Sequence, residues 1–298
     1  MLYVDIDCHH GDAVEEAFYT TDRVLTCSLH KFGDFFPGTG YMEDRGVQKG
    51  WKYSINVPFR QGLCDESFHS VFEPVNLSLR SPFLSNSQSF SSRHQLMQKI
   101  LDRFQPSVVV LQCGADSLSG DRLGQYNLSM DGHADCVRFF RKTGLPLMLL
   151  GGGGYTIKNV ARAWTYETAC ALNMDQDLDR NLPYNHYFEW FGPEYRLLVP
   201  VANLDDANLG DGHLDHLQRT VLSHAEEIPI APSVQMQDTP RRGLAHELRL
   251  KKRPRKEGDP EKRDRDDDSE EEEIERVGAN PTWDEFDHRI QGMFLRVP

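Results

Sequence analysis

The chain has 298 residues, a formal net charge of −13 and 39% hydrophobic residues. This length suits one large domain with a tail or two small domains, and the hydrophobic fraction allows a buried core. The negative charge argues against a whole-surface attraction to nucleic acid, and direct sequence-specific binding of nucleic acid is not expected. No apolar run approaches the roughly 18 residues of a membrane span, which argues against a membrane protein. The six cysteines form no C-x-x-C pair, which favours buried free thiols over disulfides.

Short apolar runs alternate with helical patterns along the first part of the chain. The runs predict buried strands at Leu2–Asp7, Val24–His30, Tyr53–Pro58, Ser107–Gly114 and Pro146–Gly151. The helical patterns lie at Asp12–Phe18, Asp65–Val75, Met97–Phe104, Gly132–Lys142 and Ile157–Leu172. Strands that are apolar on both sides and alternate with helices indicate an α/β domain with a mainly parallel sheet covered on both faces.

Two polar segments interrupt this pattern. Residues 76–96 are rich in serine and lack periodicity, which predicts an insertion or flexible loop within a domain over residues 1–240. Residues 241–298 are predicted to be a disordered charged tail, because like charges repel and bury little area. The basic cluster at Lys251–Lys256 is equally consistent with two interpretations, a nuclear localisation signal and a solvated run of charged residues.

Acids and histidines are concentrated at the end of the first predicted strand, in the run Asp5–His10. Because alternate side chains of a strand share a face, Asp5, Asp7 and His9 point together if the extended conformation continues that far. A cation would relieve the repulsion between the carboxylates, and oxygen and nitrogen donors suit zinc with one position left open. Asp116, which follows another buried strand, is the expected third ligand. The competing interpretation is a surface loop of acids and histidines, which their position after an apolar strand disfavours.

Four consecutive glycines, Gly151–Gly154, precede Tyr155. They allow the backbone to approach a ligand closely, and a phenol beside a metal can donate a hydrogen bond to an oxyanion. A phosphate-binding loop is a second interpretation, although the Lys-Ser/Thr of a P-loop and the G-x-G-x-x-G spacing are missing. A plain tight turn before a helix is the third.

Together these motifs resemble the class I histone deacetylases of the arginase/deacetylase superfamily. The resemblance covers Leu2–Pro240, and its longest blocks are Asp5–Val24, His30–Gly40, Val108–Gly124, Gly151–Thr168 and Leu182–Tyr195. It implies a three-layer arginase/deacetylase-like α/β fold that is incomplete at the N-terminus, because the family's catalytic domain begins well before Leu2. It also implies hydrolysis of N-acetyl-lysine on histones and other proteins, with repression of transcription.

The resemblance also implies roles for individual residues. Asp7, His9 and Asp116 would hold zinc, and Tyr155 would polarise the acetyl carbonyl and stabilise the tetrahedral oxyanion. The residues expected to line the acetyl-lysine tunnel and its rim are Phe36, Leu123 and Gly153.

The family carries further ligand sites. Two monovalent cation sites are usually filled by potassium. The nearer site would use Asp5, Asp7, His9, Ser28 and Leu29. The farther site would use Phe18, Thr21, Val24 and Tyr53, residues that otherwise read as ordinary core. Arg122 and Lys158 match basic positions that bind an inositol phosphate in corepressor complexes, although lysine lacks the planar fork with which arginine grips phosphate.

The family's general acid and base are a tandem histidine pair in the segment that precedes Leu2, and Asp5 and Asp12 would orient it. Two functional readings therefore stay open. One is a zinc protein deacetylase of the nucleus, and also of the cytoplasm, that acts on acetylated histone tails with corepressor subunits as partners. The other is a catalytically impaired fragment or scaffold that keeps corepressor binding. A polyamine deacetylase is a third reading, which the class I blocks disfavour, and an arginase would need more ligands for two manganese ions.

Overall fold

The computed structural model describes residues 1–72 and 96–230. Of the serine-rich stretch predicted at 76–96, only Leu96 belongs to the described residues, and the tail predicted over 241–298 lies outside them. The chain divides into two units, Met1–Met236 and Gln237–Pro298, and the described residues all belong to the first. Within that described part, no helix has the length and apolar character needed to cross a membrane.

The strands form one parallel sheet in the order β3-β2-β1-β4-β5. They are β1 (Leu2–Asp5), β2 (Leu25–Lys31), β3 (Ser54–Phe59), β4 (Val109–Gln112) and β5 (Leu147–Leu150). Every strand predicted from the apolar runs is present, with its ends shifted by a few residues. The α/β class with a mainly parallel sheet is therefore confirmed.

The helices follow the predicted pattern, with one addition. They are α1 (Asp12–Phe18), α2 (Asp65–Phe72), α3 (Leu96–Phe104), α4 (Met130–Lys142), α5 (Ile157–Leu172) and α6 (His213–Glu226). Helix α4 begins earlier than predicted because the Ser129 side chain caps it by accepting a hydrogen bond from the Gly132 N–H. Helix α5 ends at Asn173, which adopts a left-handed conformation with φ of 60°. Helix α6 was not among the predicted elements.

The two faces of the sheet carry cores of different size. On one face, Tyr3 and Val110 form a small apolar cluster with Val24, against which Val14 and Phe18 of α1 pack. On the other face, alternate strand residues join a large core to which α2, α3, α4, α5 and α6 all contribute. This distribution follows from the strand order. The connection from β1 to β2 and the connection from β4 to β5 run in opposite directions across the sheet, so right-handed crossovers place their helices on opposite faces.

A polar cluster adds to the attachment of α1. Glu15 of α1 is buried and accepts hydrogen bonds from Ser54 at 3.0 Å and from Asn56 at 3.2 Å. His10 also contacts the Glu15 carboxylate, and its other ring nitrogen lies 2.8 Å from the Thr39 hydroxyl. A small apolar cluster and a buried hydrogen-bond network thus hold α1 on the sheet together.

Strand β5 departs from the prediction that both faces of the sheet are covered. Met148 is 56% exposed and Leu150 is 38% exposed. Met148 is in register with Val110, so it lies on the face that α1 covers. Helix α1 connects β1 to β2 and therefore packs near those strands; it is the helix of the described residues that joins the apolar cluster on this face, so the edge strand β5 is left uncovered. The prediction is wrong for β5 for this geometric reason.

The strand order also fixes where a ligand site is expected. From β1 the chain proceeds to β2 and β3, and it then returns across the sheet to β4 on the other side of β1. The carboxyl ends of β1 and β4 are therefore neighbours at the point where the connections diverge. In open α/β sheets this crevice is the usual place for ligands.

Candidate metal centre

The loop after β1 bends sharply. The Asp7 N–H donates to Asp5 Oδ1 at 3.0 Å, and the His9 N–H donates to Asp7 Oδ1 at 2.9 Å. These local side-chain bonds to the backbone end the extended conformation at Asp5. The extended conformation therefore does not continue to His9, which was the condition for Asp5, Asp7 and His9 to share a face through strand alternation. Asp5 is buried next to Asp7 but is not in the group of potential ligands, and its Oδ2 accepts a hydrogen bond from the Tyr3 hydroxyl at 3.0 Å.

Asp116 approaches the same point from β4. It lies on the short 3₁₀ turn Ala115–Ser117, is fully buried, and accepts a hydrogen bond from the Cys8 N–H at 2.9 Å. His9 Nδ1 lies 2.9 Å from Asp116 Oδ2 and 2.9 Å from Asp7 Oδ1. Ligand atoms around a tetrahedral zinc ion with bonds near 2.0 Å are about 3.3 Å apart, so only a small expansion would admit the ion. The structure thus brings the three predicted ligands together, and their spacing and chemistry fit zinc.

The electrostatics of this cluster favour a cation. Burial opposes ionisation of Asp7, but hydrogen bonds from the His9 ring and backbone outweigh it and hold the Asp7 pKa below its ordinary value. Burial and the charge of Asp7 raise the pKa of Asp116. Burial alone would lower the pKa of His9, but its bonds to Asp116 and Asp7 raise that pKa to about 9. A proton on His9 therefore compensates the carboxylates at neutral pH, and a divalent cation would take over that role.

The second oxygen of Asp7 has hydrogen-bond donors of its own. Asp7 Oδ2 accepts hydrogen bonds from the Gly153 N–H at 2.7 Å and from Gln112 Nε2 at 3.0 Å. A Cβ at Gly153 would lie 2.0 Å from Asp116 Oδ2, and one at Gly114 would lie 2.1 Å from Asp7 Oδ2. Of the three interpretations of the glycine run, close approach of the backbone to this cluster is the one that the geometry favours.

Tyr155 lies at the open side of the cluster. Its ring meets the His9 ring edge-on with centroids 5.9 Å apart, and 41% of the residue is exposed. Burial and the charges of Asp116 and Asp7 raise the pKa of Tyr155 to about 12. The phenol therefore stays protonated at neutral pH and is available as a hydrogen-bond donor.

Asp121 attaches Tyr155 to a neighbouring loop. Its Oδ2 accepts from the backbone N–H groups of Tyr155 at 2.8 Å and Thr156 at 3.2 Å. Its Oδ1 accepts from those of Leu123 at 2.9 Å and Gly124 at 3.1 Å. One carboxylate therefore ties the loop of Leu123 to the loop of Tyr155.

Aromatic rings surround His9. The Phe35 ring stacks on the His9 imidazole with centroids 4.9 Å apart, and the Phe36 ring meets it edge-on at 6.1 Å. Phe36 is 76% exposed and Leu123 is 40% exposed. Both residues were predicted to line the substrate tunnel, as was Gly153. All three lie on loops around the cluster, and the tunnel itself stays a prediction.

The residues predicted for the nearer potassium site lie close to the cluster. Asp5 and Ser28 are in register on β1 and β2, and Leu29 is buried beside Ser28. The Ser28 hydroxyl lies 3.0 Å from His30 Nδ1 and accepts from the Gly11 N–H at 3.3 Å. These bonds use the Ser28 side chain within the protein, and the potassium assignment stays a prediction.

The remaining predicted residues are placed as follows. For the farther potassium site, the Thr21 N–H donates to the Phe18 carbonyl, and Val24 and Tyr53 are buried. Arg122 and Lys158, predicted to bind an inositol phosphate, are both exposed. Asp12 is exposed at the start of α1, where its Oδ1 accepts from the Ala13 N–H at 2.7 Å. These roles also stay predictions.

The sequence analysis missed Gln112 and Asp121, although each carries a signal. Gln112 is a polar residue at the end of an apolar strand, and Asp121 lies in a glycine-bearing loop. Cys8 also belongs to the group of potential ligands around Asp7. Its Sγ lies 3.4 Å from His9 Nδ1 and 4.0 Å from His9 Nε2.

A buried carboxylate–imidazole cluster at a topological switch point, with a phenol at its open side, is typical of metal-dependent hydrolases. A comparison with protein families gives a match to the family described as histone deacetylase domain, over residues 1–171. The chain belongs to this family.

Individual relatives are similar over most of the chain. It is 53% identical to "Histone deacetylase 6" of Arabidopsis thaliana over 240 residues, which are 80% of this chain and 46% of that protein. It is 50% identical to "Histone deacetylase RPD3" of Saccharomyces cerevisiae over 241 residues, 81% of this chain and 50% of that protein. It is also 50% identical to human "Histone deacetylase 1" over 240 residues, 80% of this chain and 45% of that protein. The chain therefore spans about half the length of these relatives.

Proposed function

We propose that the protein takes part in the zinc-dependent hydrolysis of N-acetyl-lysine on histones and other proteins, and so in the repression of transcription in the nucleus. The observation that carries this proposal is the convergence of Asp7, His9 and Asp116 on one point below Tyr155. Membership in the histone deacetylase family and the names of the relatives support the choice of reaction.

The residues have distinct tasks in this reaction. Asp7, His9 and Asp116 would hold zinc, which when bound acts as a Lewis acid toward the acetyl carbonyl and makes water a better nucleophile. Tyr155 donates its hydroxyl proton in a hydrogen bond to the oxygen of that carbonyl, where negative charge develops in the transition state. The apolar side chains of Phe36 and Leu123 suit contact with the methylenes of the substrate lysine.

The finer assignments belong to the same proposal. Potassium would bind at the nearer and farther sites named above, and an inositol phosphate would bind Arg122 and Lys158. Acetylated histone tails would be the substrates, and subunits of corepressor complexes would be the partners. These assignments depend on the resemblance to class I enzymes, and the exposure of Arg122 and Lys158 is compatible with anion binding.

One observation favours a second candidate function, a scaffold that binds corepressors with impaired catalysis. His10 is the histidine next to the ligand His9, and it does not serve the open side of the cluster. Its two ring nitrogens contact Glu15 and Thr39, and its ring lies against His30 with centroids 4.6 Å apart. His10 is therefore not placed to act as a general acid or base at the cluster. An enzyme that lacks such assistance typically loses on the order of 10²–10⁴ in rate.

Turnover of an acetyl-lysine histone peptide by the zinc-loaded full chain separates the two functions. Deacetylation that is lost in Asp116→Asn and kept in Asp102→Asn, a change on the exposed surface of α3, supports the enzyme. Zinc binding without turnover supports the scaffold. Full turnover by Asp116→Asn would contradict the metal assignment, and preference for an acetylated polyamine over the peptide would contradict the substrate class.

A further inference from the structure

We propose that Gln112 is a positioning residue that orients Asp7 for metal binding; this inference rests on the metal centre of the proposed function. Gln112 is the last residue of β4 and is in register with Asp5 of β1. From this position its side chain reaches across to the carboxylate of Asp7. Gln112 lies within the block Val108–Gly124 of the resemblance, but the predicted ligand set does not include it.

The contacts of Asp7 divide between its two oxygens. Oδ1 accepts from the His9 N–H at 2.9 Å and lies 2.9 Å from the ring nitrogen Nδ1 of the same residue, a predicted ligand. Oδ2 receives the Gln112 amide at 3.0 Å and the Gly153 N–H at 2.7 Å. Two donors on one oxygen fix the rotation of the carboxylate and leave the other oxygen directed at the cluster. Gln112 supplies the side-chain donor of this pair.

The orientation of the Gln112 amide is itself determined. Its Oε1 accepts a hydrogen bond from the Gly114 N–H at 2.8 Å, so its Nε2 must point toward Asp7. The space for this amide depends on glycine as well, because a Cβ at Gly152 would lie 2.1 Å from Gln112 Nε2. Glycines on two loops thus surround the contact between Gln112 and Asp7.

The chemistry of glutamine suits this position. Its amide donates to a carboxylate without bringing a positive charge, so it orients Asp7 without competing with a divalent cation. A lysine there would pair with Asp7 and weaken the attraction of the cluster for a metal ion. Groups that hydrogen-bond to metal ligands in this way typically change metal affinity by about 10–100-fold when they are replaced.

The test is the zinc affinity of the full chain, measured by competition with a chromophoric chelator. Gln112→Leu and Gln112→Met remove the donor at similar volume, and Gln98→Leu on the exposed surface of α3 is the matched control. A variant counts as folded if its circular dichroism spectrum matches that of the parent. In a folded Gln112 variant we expect zinc binding to be about 10–100-fold weaker, and in the control we expect no change. The visible spectrum of bound cobalt(II) should also change, because a merely structural defect would lower stability without altering the ligand field.

Unchanged zinc affinity in a folded Gln112→Leu or Gln112→Met variant would overturn the inference. Asp116→Asn distinguishes this failure from that of the metal centre. If Asp116→Asn abolishes zinc binding while the Gln112 variants bind normally, only the positioning role is wrong. If Asp116→Asn also binds normally, the proposed metal centre itself is wrong.

Discussion

Replacement of Asp121 should release two loops at once. The carboxylate accepts four backbone hydrogen bonds, two from Leu123 and Gly124 through Oδ1 and two from Tyr155 and Thr156 through Oδ2. Asp121→Ala removes all four. Asp121→Asn keeps one acceptor oxygen and therefore serves only one of the two loops, while its NH₂ group faces the N–H donors of the other.

The magnitude follows from the number of bonds. With about 1 kcal/mol net for each bond at this half-buried position, alanine loses about 4 kcal/mol of local stabilisation and asparagine about 2 kcal/mol. For a loop that loses its two bonds, about 2 kcal/mol corresponds to about 30-fold faster opening of its amides. Because Asp121 holds the Tyr155 backbone, the phenol should also become less well ordered.

Native-state hydrogen exchange measures this effect at the individual amides. In Asp121→Ala we expect faster exchange at both loops, and in Asp121→Asn at only one of them. Asp102→Ala on the exposed surface of α3 controls for the loss of a surface carboxylate. Protection of the Tyr155 and Thr156 amides that is unchanged in a folded Asp121→Ala variant would refute the reasoning.

Three further outcomes are expected. Gly153→Ala would place a Cβ 2.0 Å from Asp116 Oδ2, so the loop that carries it must shift. The zinc affinity, measured by competition with a chelator, should fall by about 10–100-fold. A variant that binds zinc as tightly as the parent would contradict the close packing. Burial and the charge of His10 lower the pKa of His30 from 6.5 to about 3, so the unfolded chain binds the extra proton. The contribution of His30 to the free energy of unfolding should therefore be fully present above pH 6.5 and decrease by about 1.4 kcal/mol per pH unit toward pH 3. Denaturant titrations at several pH values should find a smaller slope in His30→Asn. Because the pKa of His9 is raised to about 9, zinc binding at pH 7 should release about one proton from this residue, which calorimetry in buffers of different ionisation enthalpy would detect; no release would contradict the protonated state.

Much of the fold could be predicted from local sequence, because buried parallel strands are continuous apolar runs. The same logic located the ligands, since acids and histidines directly after such strands meet at one edge of the sheet. Helix α6 was missed although Leu217, Val221 and Ala225 are spaced four residues apart and face the core.

What could not be predicted depends on partners that are distant in the sequence. The bend after Asp5 is stabilised by hydrogen bonds from backbone N–H groups to the side chains of Asp5 and Asp7, and no periodicity reveals these bonds. The roles of Gln112 and Asp121 arise from loops that are 105 and 34 residues away from them, respectively. The exposure of Met148 follows from the position of α1 near β1 and β2, away from the edge strand β5, and this position is a tertiary property.

The way in which α1 is held has a consequence for the order in which the molecule loosens. Its apolar contact with the sheet is small, and much of its attachment comes from the hydrogen bonds of Glu15. Each such bond adds only about 1 kcal/mol net, because water replaces it once the segment detaches, whereas the large core on the other face buries far more apolar surface. We therefore expect heat or denaturant to open this side of the sheet before the large core melts, and the loop that carries Asp7 and His9 would lose its shape in that early step.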